Sequence, residues 1–151
     1  MHPRAAQLIA ALGLVPHPEG GHFSEVFRSA ACVRPLDERA ERTALTTIFF
    51  LLAAGEVSRW HRVASDEVWH FYEGAPLELM VADSDLCEVE RRTLGPVAGQ
   101  VRPVQVVPAR AWQAACTTGA YTLVGCSVGP GFEFTDFQML RDLPAEAQRM
   151  A

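Results

Sequence analysis

Gly55-Glu56-Val57-Ser58-Arg59-Trp60-His61-Arg62-Val63-Ala64-Ser65-Asp66-Glu67-Val68-Trp69-His70-Phe71-Tyr72-Glu73-Gly74 is the stretch on which the reading of this chain turns. With Ala64-Ser65-Asp66 at the turn of a hairpin, Val63 falls opposite Glu67 and His61 opposite Trp69. Side chains alternate along a strand, so Arg59, His61, Val63, Glu67, Trp69 and Phe71 share one face. Trp60, Arg62, Val68, His70 and Tyr72 share the other. A carboxylate and a histidine on an otherwise aromatic face need partners, because an unpaired buried charge shifts its pKa or destabilises the fold. Arg59 is the candidate partner on that face.

Working outward, almost everything after Phe23 reads as strand. The expected strands are Phe23–Arg28, Thr43–Ala53, Arg59–Val63, Glu67–Tyr72, Leu77–Ala82, Glu88–Leu94, Val104–Val107, Trp112–Cys116 and Tyr121–Val128. Gly55, Gly74-Ala75-Pro76, Asp83-Ser84-Asp85, Gly95-Pro96, Pro108 and Thr118-Gly119 punctuate them. Many short strands at regular spacing mean a sandwich or a closed barrel. Phe132 to Phe137 alternates and reads as a last strand. Before the strands, Pro3 suits a first helical position, and Ala5, Leu8, Ile9 and Leu12 make one apolar face that Gly13 can end. Pro144 to Met150 reads as a terminal helical turn. Thr46 to Leu52 shows no alternation, which suits a strand buried on both sides, and a second subunit is one candidate for the outer cover. His17-Pro18-Glu19-Gly20-Gly21-His22 reads as a tight turn feeding the first strand, with Glu19 placed to cap a pocket.

The chain has 151 residues and a mass of 16.5 kDa, with 49% apolar and 21% charged residues, which fits one globular domain. All 13 basic residues are arginine, and lysine and asparagine are absent. That excludes a Schiff-base lysine, P-loop chemistry and a Cys-His-Asn triad. The net charge of −5 and the scattered arginines argue against a nucleic-acid partner. No apolar run reaches the roughly 20 residues that span a bilayer, and no small-residue cleavage site follows the apolar N-terminus. Cys32, Cys87, Cys116 and Cys126 form no C-x-x-C pair, so four free, buried thiols in a cytoplasmic protein are expected.

The central stretch resembles the first motif of the cupin superfamily: Gly55, His61, Glu67 and Gly74 stand at its spacing. Val63 stands where that motif has its second histidine. Pro108-Ala109-Arg110-Ala111-Trp112-Gln113 resembles the second motif, with Arg110 in place of glycine and Gln113 in place of histidine. His17 to Gly21, Phe27-Arg28-Ser29, Ser65 to Gly74 and Gly129 to Phe134 narrow the resemblance to the DUF985, or cupin_5, branch, from about residue 8 to 140. The resemblance implies an all-β double-stranded β-helix, a jelly-roll barrel over about residues 20–140 with a short helix over about 3–13. It implies a homodimer with a ligand pocket in the barrel mouth, and no established activity.

A metal-binding cupin converges three histidines and a glutamate on iron, manganese or zinc. Only His61 and Glu67 of that set are present, so no cofactor is expected beyond weak divalent-metal binding at those two. The same groups suit general acid–base chemistry, with His61 as base, Glu67 orienting it, and His70 or Tyr72 as the complementary acid. Strand parity turns His70 and Tyr72 away from His61 unless a bulge intervenes. Arg28 reads equally as a surface ion pair or an anion contact, and Arg110 as a solvated loop arginine, the more common case, or a carboxylate or phosphate clamp. Glu19, Arg59, Trp69, Trp112, Gln113 and Phe132 complete the candidate lining, since small-molecule sites are mostly apolar with few polar groups. The expected function is a metal-independent isomerase or epimerase acting on a small polar or sugar-like molecule. A non-catalytic binding or sensing protein and a metal-dependent oxygenase or isomerase are the alternatives.

Overall fold

The structure, a computed structural model, describes residues 1–145. The expected turn over Pro144 to Met150 therefore lies largely outside the described residues. Helix α1 (Pro3–Leu12) starts at Pro3 with the His2 ring accepting the Arg4 N–H, and ends where Gly13 turns left-handed at φ 64°. Strands β1 (Val15–Pro16), β2 (His22–Arg28), β3 (Cys32–Val33), β4 (Arg42–Thr43) and β5 (Thr46–Ala53) follow. Next come β6 (Val57–Val63), β7 (Asp66–Gly74), β8 (Leu77–Ala82) and β9 (Val89–Leu94). The barrel is completed by β10 (Val104–Val107), β11 (Trp112–Thr117), β12 (Tyr121–Gly129) and β13 (Phe137–Met139). One sheet runs β1-β2-β5-β12-β7-β10 and the other β13-β6-β11-β8-β9. The expected all-β jelly roll with its N-terminal helix is what forms.

Phe50, Leu52, Trp69, Leu77, Leu79, Leu94 and Val124 fill the space between the two sheets. Each such side chain contributes roughly 1.5–3 kcal/mol by leaving water. The missing alternation in β5 has a local cause. Phe50 and Leu52 point into the barrel, while Leu51 and Ala53 point outward and are covered by Ala5, Leu8 and Leu14. The outer cover over Leu51 and Ala53 is thus the chain's own helix.

Three further expectations are corrected. First, β6 and β7 are not hairpin partners: β6 pairs with β11 and β13, and β7 with β12 and β10. The chain changes sheets at Ser65, a corner held by Arg39 Nη1 donating to Ser65 Oγ (2.8 Å) and Ala109 N–H donating to Asp66 (2.8 Å). Second, Phe132 to Phe137 is not one strand. Phe132 N–H donates to Thr46 Oγ1, Phe134–Asp136 is a 3-10 turn, and only Phe137–Met139 pairs with β6. Third, the thiols are free but not all buried: Cys32 and Cys87 are exposed, Cys116 is half-buried and Cys126 is buried. No helix among the described residues is long and apolar enough to cross a membrane.

Gly20 links this fold to the site. It sits at φ 112°, and a Cβ there would lie 1.9 Å from the Val57 carbonyl oxygen. Gly20→Ala is expected to cost about 3 kcal/mol through strain and displacement of the turn. Urea unfolding of the variant beside the parent checks this, and equal midpoints would contradict it.

Candidate functional site

A cavity of about 270 Å³ opens between the sheets. Buried His61, Glu19, Glu67 and Cys126 form its inner end. Phe23, Ile48, Val63 and Val128 wall it, and Phe132, Phe134 and Phe137 close one side. Exposed Glu25, Arg28 and Glu133 sit at the rim.

A β-bulge decides what enters the cavity. On β11, Gln113 pairs with His61 and Ala115 with Ser58, so β6 holds one residue more than its partner strand over that interval. Ser58, His61 and Val63 consequently face inward, and Arg59 is turned out to solvent. Arg59 therefore does not partner Glu67 through its side chain. Its backbone does the positioning: Arg59 N–H donates to the Glu19 carbonyl (2.7 Å), and the Arg59 carbonyl accepts from His61 Nδ1 (2.6 Å). A carbonyl cannot donate, so Nδ1 carries a proton. His61 Nε2 then meets Glu19 Oε2 at 2.6 Å, a charge-assisted pair with both side chains buried. Burial alone disfavours the charged form of each. Their mutual attraction outweighs it, so the His61 pKa is raised and the Glu19 pKa lowered.

Glu67 does not orient His61, contrary to the sequence expectation. Gln113 holds it instead. Trp69 Nε1 can only donate, and it reaches Gln113 Oε1 at 2.9 Å; the Gln113 amide nitrogen is thereby turned to donate to Glu67 Oε1 at 2.7 Å. The Cys126 thiol hydrogen-bonds to the same carboxyl group. Burial, and next the negative charge of Glu19, push the Glu67 pKa up to about 7.

The remaining expected residues divide between the cavity and other places. Glu19, Arg28 and Phe132 line it. Arg28 donates to Glu25 (2.8 Å), Glu133 (3.3 Å) and the Phe132 carbonyl (3.0 Å), so its guanidinium already has protein partners at the exposed rim. Trp69 and Gln113 act behind the cavity, as the relay to Glu67. Trp112 is buried beside Ala82, Leu86 and Leu140, with the Arg62 guanidinium 4.5 Å from its ring centre. His70 and Tyr72 face outward as parity demands: Tyr72 is 50% exposed and packs on Phe49. Neither can be the complementary acid. Arg110 pairs with Asp37 (2.9 Å) in a separate cleft that it lines with Arg39 and Arg62. His17, which the sequence places in a turn, lines the cavity beside Glu19. Its nearness to His61 comes from the turn folding back on β6, which no spacing rule reports.

The family model described as "Cupin superfamily (DUF985)" matches residues 6–140. This chain is a cupin of the DUF985 family. A hypothetical protein from Leishmania major is 35% identical and superposes with a TM-score of 0.84, covering 97% of this chain and 90% of that one. Protein SO0799 from Shewanella oneidensis is 34% identical, with a TM-score of 0.80 over 89% of this chain and 83% of that one. A dTDP sugar isomerase from Desulfovibrio desulfuricans shares the fold at 13% identity, with a TM-score of 0.57 over 91% and 90%. No curated protein matches the chain.

The donor set of this cupin does not fit a metal. Val63 has no donor atom, the Gln113 oxygen is taken by Trp69, and His61 Nε2 is taken by Glu19. Among the described residues no three His, Cys, Asp or Glu side chains are placed to hold an ion.

The raised Glu67 pKa has a sign that can be tested. The ordinary value is 4.5 and the folded value about 7, so folded protein binds the extra proton between those pH values. Stability from this group is therefore full below pH 4.5 and is lost as pH rises through 7. Glu67→Gln cannot ionise, and relative to the parent it should gain on the order of 3 kcal/mol between pH 4.5 and 8. Unfolding free energies of both proteins across that range check this, and parallel curves would refute it.

Proposed function

We propose that this cupin is a metal-independent proton-transfer enzyme, isomerase- or epimerase-like, acting on a small polar, sugar-like molecule held in the barrel cavity. One observation carries the reading: two buried carboxyl groups at one end of a mostly apolar cavity are pushed in opposite directions. Glu19 is held ionised by His61, while Glu67 titrates at about 7. Divergent pKa values in one site are the usual mark of divided acid–base roles.

The roles differ from those expected of the residues in sequence. His61 donates from Nδ1 and shares its Nε2 proton with Glu19, which leaves it no lone pair for a base. Glu67 is then the group that takes and returns the proton, and the His61–Glu19 pair holds the local charge in place. The cavity volume of about 270 Å³ falls just below the usual range of small-molecule sites, roughly 300–1,000 Å³, and suits a monosaccharide or smaller. The sugar isomerase among the fold neighbours supports this only as analogy of fold.

The satisfied state of His61 favours a second reading, a binding or sensing protein with the same cavity. Deuterium exchange separates the two. Proton NMR in D₂O of a panel of monosaccharides and α-hydroxyketones should show loss of a carbon-bound proton signal. Glu67→Gln should slow that exchange by about 10²-fold or more, and the parent rate should fall below pH 7. Binding without exchange leaves the sensing reading; no binding across the panel sinks both.

The assembly and compartment belong to the same proposal. The outward face of the larger sheet exposes Phe27, Tyr72, Val104 and Val106, which a second copy of the chain would cover. Free thiols suit the reducing cytoplasm. Sedimentation equilibrium should return twice the 16.5 kDa chain mass, and a monomer at micromolar concentration would overturn the dimer.

A further inference from the structure

His17 is the cavity residue with a function still to account for. Its Nδ1 accepts the backbone N–H of Glu19 at 3.0 Å, and Glu19 Oε1 lies 3.8 Å from the same nitrogen. An atom that accepts a backbone N–H carries a lone pair, so the ring proton of a neutral His17 sits on Nε2. No described residue of the protein accepts a hydrogen bond from Nε2. Aromatic rings enclose the imidazole: Phe23 at 4.5 Å between centroids, Phe50 and Phe137 at 5.9 Å, and Phe134 at 6.2 Å. The two titratable groups that face it are Glu19 and His61. Burial lowers the His17 pKa, and the attraction of Glu19 does not restore it. His17 is thus a neutral, oriented N–H donor on a cavity whose charged donors are already used. Arg28 is committed to Glu25, Glu133 and the Phe132 carbonyl, and His61 to Glu19 and the Arg59 carbonyl.

We propose that His17 Nε2–H receives a carbonyl oxygen of the substrate, and that the substrate is an uncharged carbonyl compound rather than an anion. The proposal rests on Glu67 being the proton-transfer group of the same cavity. Glu67 carboxylate takes the proton from the carbon next to the carbonyl. The C–H electron pair becomes a C=C bond, and the C=O π pair moves onto oxygen, where His17 Nε2–H hydrogen-bonds it. Protonated Glu67 returns the proton to the same carbon while the electron pair on oxygen re-forms the C=O bond, which exchanges the hydrogen at that carbon with no oxidant or reductant. A neutral donor suits this step: it stabilises developing charge on oxygen without a counter-charge that would bind anions in the ground state. An anionic substrate would meet Glu19, Glu25, Glu67 and Glu133 with no free cation to answer them.

The experiment uses the whole protein with ¹⁵N-labelled histidine, and hydroxyacetone and glycolate as probes. Expected are a pyridine-like Nδ1 and a pyrrole-like Nε2 for His17 from pH 7 to 8.5. Hydroxyacetone should shift the Nε2 resonance, and glycolate should not. Affinity for hydroxyacetone should fall about tenfold in His17→Phe and stay within about threefold in His17→Gln, whose amide can still donate. An Nδ1–H tautomer, an imidazolium at pH 7, a response to glycolate alone or an unmoved Nε2 in excess hydroxyacetone each overturns the proposal. Two results separate this proposal from the proton-transfer reading. Exchange on another carbonyl that survives in His17→Phe leaves Glu67 standing and removes His17. Absence of all exchange with the expected tautomer removes the enzyme reading and leaves His17 as a binding donor.

Discussion

The His61–Glu19 pair, 2.6 Å between Nε2 and Oε2 with both side chains buried, constrains more of this molecule than any other contact. Removing two charges from water costs several kcal/mol per ion, and their attraction offsets this only when the geometry is good and further hydrogen bonds help. Here the Arg59 carbonyl takes the second imidazole proton, and Arg59 N–H ties down the backbone at Glu19. The turn from His17 to Gly21 must therefore lie directly on β6. That is why Gly20 approaches the Val57 carbonyl more closely than any side chain would allow. Losing one partner of such a pair typically costs about 3–5 kcal/mol, because the other charge stays buried alone.

A second chain of contacts runs Trp69 to Gln113 to Glu67, and its direction follows from donor chemistry alone. Indole can only donate, so the amide must present its oxygen to Trp69 and its nitrogen to Glu67. A donor to a carboxylate favours ionisation, yet burial and the nearby Glu19 charge dominate and lift Glu67 to about 7. The valine and glutamine at positions where other cupins carry histidines thus go with a hydrogen-bonded acid–base arrangement. The same exchange leaves Cys126 hydrogen-bonded to Glu67 with its thiol pKa well above the ordinary range, a poor nucleophile in the cavity wall.

Much of the barrel was legible. Leu77–Ala82 and Val104–Val107 form as read, most other strands differ by a residue or two at their ends, and the inward face of β7 carries Glu67, Trp69 and Phe71 as alternation requires. The site was legible in part. Of the residues the sequence singles out, His61, Glu67, Glu19, Arg28 and Phe132 line the cavity, whereas Arg59, His70, Tyr72, Trp112 and Arg110 do not. Arg59 failed because a bulge adds one residue to β6, and period-2 reasoning has no term for that. Arg110 failed because proximity to a motif does not say which cavity a turn faces. The hairpin failed because Ala64-Ser65-Asp66 looks like a turn within a sheet and is a corner between two.

What the sequence by itself determined is the set of available chemistry: arginine as the sole basic side chain of the Lys/Arg class, a valine and a glutamine where metal ligands would stand, and a period-2 pattern that builds a cupin barrel. Tertiary structure alone decided which of those groups meet. Glu19 lies 42 positions from His61 along the chain and 2.6 Å from it in space, and Gln113 lies 46 positions from Glu67. Strand periodicity is a local property of sterics, so it can be read from neighbours in sequence. A proton's affinity for a carboxyl group depends on burial and on charges brought from elsewhere in the chain, and only the folded barrel supplies those.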